Sequence, residues 1–127
     1  AVIKDVPKTL VYRLARFRNR RGPGAPIPRS VLTRAPTAEL APRQTDQDTL
    51  PPYDVLDGIL DCLIEGEMSV PETCANGYDE EMVRRVWRML DRAEYKRRQA
   101  PPGVKVSSRA FGRERRYPIT NAFTRLI

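Results

Sequence analysis

"DEEMVRRVWRMLDRAEYKRRQ", Asp79 to Gln99, opens on three acids and closes among three bases. Asp79, Glu80 and Glu81 suit the positive end of a helix, and Lys96, Arg97 and Arg98 suit its negative end. Met82, Val86, Met89 or Leu90, and Ala93 recur at helical spacing, so the stretch predicts one long helix with a buried side. "APPG", from Ala100, stops it.

The same period extends towards the N-terminus. "SVPE", Ser69 to Glu72, has the spacing of a capping box and starts a short helix that "NG", Asn76-Gly77, should end. "PPYDVLDGILDCLIEG" places Tyr53, Leu56, Leu60, Leu63 and Ile64 on one helical face, widened by Val55, Ile59 and Cys62. "DVPKTLVYRLARFRNRRG" reads as a further helix, with Pro7 in its first turn and Leu10, Val11, Leu14 and Phe17 as a stripe. Its arginines lie towards the C-terminal end, and Gly22 is expected to provide a left-handed stop. "PGAPIPRSVLTRAP" holds four prolines and reads as extended. The tail "VKVSSRAFGRERRYPITNAF" reads as irregular and basic. No convincing paired strands emerge, so the chain is expected to be mainly α with long loops.

The chain has 127 residues, two cysteines and no histidine. That excludes the common zinc spacings within the chain and removes the usual general base. Cys62 and Cys74 are not in a CxxC pair and are expected to be reduced. No apolar run approaches the ~20 residues of a membrane-spanning helix. The start, "AVIKDV", has no Met and reads as the middle of a longer protein. Charge is unevenly placed. Residues 1–34 hold nine Lys/Arg against one acid, residues 35–94 five against fourteen, and residues 95–127 nine against one. Two basic ends around an acidic middle can embrace an anionic ligand or neutralise the middle.

Lys8 stands in a helix first turn, where its ammonium adds to a position that already favours anions. Thr37 opens a long acidic loop, "TAELAPRQTDQDTLPPYD", with a hydroxyl available to a phosphate or nucleotide. Tyr95 and Lys96 set an aromatic ring beside a cation. Taken singly, such residues are usually a solvated lysine or ordinary turn chemistry.

Together the motifs carry a resemblance. "KDVPKTLVYRLARFRN", "PTAELAPRQTDQDTLPPYDVLD" and "AEYKRRQAPPGVKVSSRAFGRERRYPITN" resemble, in order and with matching gaps, the C-terminal part of bacterial glutamine-dependent NAD synthetase. The resemblance implies the C-terminal end of an α/β Rossmann-like domain of the adenine nucleotide alpha hydrolase-like kind. It implies that ATP, assisted by Mg2+, adenylates deamido-NAD with release of pyrophosphate, and that ammonia then displaces AMP to give NAD. It implies a glutaminase domain upstream in the same chain as the ammonia source, a cytoplasmic location and a homo-oligomer, with neither nucleic acid nor membrane as partner.

By the same resemblance Lys8 and Thr37 contact ATP, and Lys96 contacts deamido-NAD. Tyr95 stands where the shorter, ammonia-using enzymes have histidine, so its role follows less directly. The acidic loop would be a flap near the nucleotides. Neither a catalytic residue nor a metal ligand is assigned to the chain. The family's "SGGxDS"-type pyrophosphate loop is missing from residues 1–127, as is the glutaminase domain, and Gly22 and Gly24, split by Pro23, do not replace the loop. The chain by itself is therefore expected to be inactive. The alternatives are a basic nucleic-acid-binding module, resting on "RNRRG" and "RERRYP", or a non-catalytic docking module.

Overall fold

A computed structural model describes residues 1–36, 49–112 and 114–122. Thr37 and most of the acidic loop lie outside the described residues. Among the described residues every regular element is helical and no strand occurs. The elements are α1 (Lys8–Arg21), α2 (Arg29–Thr33), α3 (Tyr53–Leu60), a π-helical turn (Asp61–Glu65), α4 (Val70–Ala75), α5 (Glu80–Arg92) and α6 (Glu94–Gln99). They form two compact units, Pro7–Asp57 and Ala1–Val6 with Gly58–Ile127, the division falling within α3.

In the unit Pro7–Asp57, α1 begins directly after Pro7, whose backbone is extended at φ −58° and ψ 153°. Proline has no side chain to cap a helix, and the free Thr9 N–H donates instead to Asp57 Oδ2 at 2.7 Å. A carboxylate at this end also meets the positive pole of the helix. Gly22 does not supply the expected left-handed stop. It is extended, at φ −114° and ψ 165°, because Pro23 follows it and biases the preceding residue away from helix. Gly24 takes the left-handed turn instead, at φ +70°. Asn19 then ties down the proline-rich segment, donating to Ile27 O at 2.8 Å and accepting from Ile27 N–H at 3.0 Å. That segment is not wholly extended, as the prolines suggested. Pro28 precedes α2 and the five residues of α2 contain no proline, so one helical turn forms. The α1 stripe forms as expected but is not buried: Leu14 and Phe17 are 46% and 48% exposed.

In the other unit the core is aliphatic. Ile59, Leu63, Ile64, Val70, Val83 and Val86 are buried, with Thr73 among the fully buried side chains. Each such aliphatic side chain contributes about 1.5–3 kcal/mol by leaving water. The expected buried side of α5 is displaced. Val83 and Val86 are buried while Met82, Met89, Leu90 and Ala93 are half-buried. The long helix also divides at Ala93, whose N–H is shared between Met89 O at 3.0 Å and Leu90 O at 3.2 Å. Such a three-centre bond tightens a helix end. The buried face continues past the break as a polar pair, Glu94 and Arg97.

Local chemistry explains the remaining ends. The Ser69–Glu72 capping box is complete: the Glu72 N–H donates to Ser69 Oγ at 3.4 Å and the Ser69 N–H to Glu72 Oε2 at 2.7 Å. The Ser69 hydroxyl, donating to the same carboxylate, is the main cause of the lowered Glu72 pKa. Gly77 ends this stretch at φ +94°, as "NG" predicted. Asp79 caps α5 by accepting from the Met82 N–H at 2.9 Å. The π turn closes with Gly66 N–H on Asp61 O at 2.9 Å. A Cβ on Gly66 would lie 2.8 Å from Cys62 O, so only glycine fits there without backbone movement. Cys62 and Cys74 are half-buried free thiols, as expected. No helix among the described residues is long and apolar enough to cross a membrane.

Candidate functional site

Lys8 is the first residue of α1 and is exposed. Its Nζ lies 5.7 Å from the Tyr53 ring centroid, within the same unit. An aromatic face at that distance attracts the ammonium without consuming its hydrogen bonds. With the Thr9 N–H taken by Asp57, the exposed Lys8 ammonium is a cation presented at this first turn.

Lys96 and Tyr95 stand on α6 in the other unit, both exposed, with Lys96 Nζ 6.0 Å from the Tyr95 ring centroid. The structure thus brings Tyr95 and Lys96 together. Lys8 belongs to the first unit, and Thr37 lies outside the described residues.

Sequence reasoning missed the group that organises the tail beside α6. Asp5 is the only acid among residues 1–34, and it is 5% exposed. Its Oδ2 accepts from the N–H of Val106, the N–H of Ser107 and the Ser107 hydroxyl, each at 2.8 Å. Its Oδ1 accepts from the Phe111 N–H and lies 3.9 Å from Arg115 Nη2. Burial alone raises the pKa of this carboxyl, but the bonds from Val106, Phe111 and Ser107 outweigh burial and hold it at about 2. Lys4 reinforces this latch, its Nζ donating to Pro101 O. A solitary acid inside a basic run was the available signal.

Around the latch the cations are stacked and paired. Phe111 carries Lys4 Nζ at 5.5 Å, the Arg97 guanidinium at 5.9 Å and that of Arg115 at 5.7 Å from its ring centroid. Glu94, 1% exposed, pairs with Arg97 and, at 3.4 Å, with Arg98. Removing that carboxylate would leave a buried guanidinium uncompensated. Burial, followed by repulsion from Arg97, lowers the Arg115 pKa. Arg115 Nε is buried and has no partner among the described residues. A metal cage is a different matter: among the described residues no three His, Cys, Asp or Glu side chains converge to hold an ion.

The described residues present a helical segment with an exposed lysine at a helix start and an arginine cluster beside a latched tail. Comparison with known proteins gives this segment its family. Residues 1–100 match the NAD synthase family, and the chain belongs to it. It is 54% identical over 123 residues to the glutamine-dependent NAD(+) synthetase of Acinetobacter baylyi, a match covering 97% of this chain and 23% of that protein. The corresponding synthetase of Xanthomonas campestris pv. campestris is 53% identical, over 98% of this chain and 22% of that protein. The chain therefore spans less than a quarter of the length of these relatives. Among solved structures, the glutamine-dependent NAD+ synthetase of Acinetobacter baumannii, in complex with ADP, matches with a TM-score of 0.54 and 46% identity. That match covers 91% of this chain and 19% of the other.

Proposed function

We propose that this chain is the C-terminal part of the ammonia-ligating domain of a glutamine-dependent NAD synthetase. In the intact protein the nicotinate carboxylate of deamido-NAD attacks the α-phosphorus of ATP and pyrophosphate leaves. Ammonia released from glutamine by an upstream glutaminase domain then attacks the acyl carbon, losing a proton as AMP departs, and NAD results. The supporting observation is the 54% identity sustained across 97% of the chain to an enzyme of that name. The ADP bound to the solved relative supports use of an adenine nucleotide.

Within this reading Lys8 contacts ATP phosphates, Thr37 assists at the same nucleotide, and Lys96, with Tyr95 beside it, contacts deamido-NAD. The geometry supporting Lys8 is an exposed ammonium at the start of α1 whose neighbouring N–H is already capped by Asp57. Adenylating a carboxylate brings an anion to a polyphosphate, and fixed cations offset the charge that accumulates. Magnesium belongs to the family reaction by resemblance, but the described residues do not form a cage for it. The intact domain is Rossmann-like and cytoplasmic, and residues 1–127 alone are inactive because the pyrophosphate loop lies outside them. The reading includes self-association, which the half-exposed Leu14 and Phe17 stripe on α1 supports.

Replacement of Lys8 tests the assignment. In the intact protein, Lys8→Ala is expected to lower kcat/KM for ATP by about 10²- to 10³-fold, the scale of one lost charge-stabilising donor. Glutaminase turnover measured alone should be retained. An unchanged kcat/KM for ATP would remove Lys8 from the nucleotide site.

A further inference from the structure

One feature of the unit around Asp5 is used by none of these roles. A cleft of about 390 Å³ opens between the end of α6 and the latched tail. Its lining includes Lys4, Arg97, Arg98 and Arg116, drawn from three separated stretches of sequence, and no described Asp or Glu lines it. The volume lies in the range of small-molecule pockets.

The charges around this cleft do not cancel. Glu94 compensates one of the two guanidiniums it pairs with. Lys4 spends a hydrogen bond on a neutral carbonyl, Pro101 O, and keeps its charge. Arg116 is exposed and has no hydrogen bond or ion pair among the described residues. The Asp5 carboxylate is occupied by backbone N–H groups and by Arg115, so it does not neutralise the lining. Three positive charges are therefore left around one small volume. Stacking on Phe111 accounts for Lys4 and Arg97 as structural groups, but it does not account for Arg116. Nor is Lys96 part of the lining.

We propose that this cleft binds a diphosphate group, held by the Arg116 and Arg98 guanidiniums with Lys4 as a point charge. Guanidiniums meet phosphate oxygens through paired N–H donors, and a diphosphate concentrates several negative charges in a space this size. The Asp5 latch and the Glu94 pair fix the two walls in advance, so little ordering is required on binding.

Hydrogen exchange of the intact protein, read by mass spectrometry on peptides within residues 97–112, tests this without any catalytic readout. The probes are inorganic pyrophosphate and ADP, each against chloride at equal ionic strength. Saturable protection of these peptides by pyrophosphate would identify a free diphosphate as ligand, and protection by ADP alone would identify a nucleotide-borne one. Arg116→Gln, which breaks no structural contact, is expected to weaken the protecting ligand at least tenfold, and Lys4→Gln to weaken it less. No protection beyond the chloride control, or equal affinity in wild type and Arg116→Gln, would overturn the proposal. Loss of NAD formation with protection intact would count against the proposed function alone.

Discussion

Asp5 joins the two basic ends of the chain through one carboxylate that accepts from N–H groups more than a hundred residues away. Its pKa, held at about 2, sets the sign of its pH dependence. A depressed carboxylate pKa gives stability that is complete above the ordinary carboxylate range and is lost as pH falls through the folded value. The latch should therefore weaken between about pH 4 and pH 2. At neutral pH its contribution is about 2 kcal/mol. Asp5→Asn should accordingly lower the exchange protection of the Val106, Ser107 and Phe111 amides by up to about 30-fold at pH 7, with little change at pH 2. Equal protection in both proteins at pH 7 would show that the loop stands without the carboxylate. Neither this latch nor the pair at Glu94 was legible in the sequence. A local pattern reports residues three or four apart, whereas Asp5 acts across the whole chain. Glu94 stands at helical spacing from Arg97 and Arg98, but spacing does not reveal that the carboxylate is buried. Lys8, Lys96 and Tyr95 were singled out from long motifs, and the structure places all three in exposed positions.

At the scale of elements, most helix starts and stops follow from nearby chemistry, and these were legible. The Ser69–Glu72 box is complete and Gly77 takes the left-handed turn that ends the following segment. Ser69→Ala should destabilise α4 by about 1 kcal/mol, read as faster exchange of the Glu72 and Thr73 amides. Unchanged exchange would mean that core packing of Val70 and Thr73 alone holds the turn. Departures from expectation arose where a neighbour overrode a local preference. Pro23 made Gly22 extended, the proline-free run after Pro28 allowed α2, and a shared N–H at Ala93 divided the long helix. The stretch Asp61–Glu65 was expected to continue the preceding α-helix but forms a π turn, and Gly66 is required there by the close approach of Cys62 O.

For the whole molecule, the charge layout acquires a physical account in part. The unit holding both Ala1–Val6 and Gly58–Ile127 gathers basic residues from opposite ends of the chain, and the single acid of the first end clamps the second. Glu114, the only acid of residues 95–127, pairs with Lys105 at 2.7 Å and accepts from the Ala110 N–H at 2.8 Å, so it too serves the tail's shape. Of the described tail cations, Lys105, Arg109 and Arg115 meet acids, whereas Arg116 lines the cleft without an ion pair among the described residues. The helical character of the described residues was legible at this scale because helical period and capping signals agree with one another along them. The use of the cations was not, since it depends on which basic residues are already paired.

The most direct measurement supplies the intact protein with deamido-NAD, ATP and glutamine carrying 15N in its side-chain amide. Mass spectrometry of the product then reads the origin of the nicotinamide nitrogen. The account predicts NAD heavier by one mass unit, formed with AMP and pyrophosphate in equal amounts, and no product from residues 1–127 alone. Unlabelled NAD, ADP in place of AMP, or no NAD from the intact protein would contradict it.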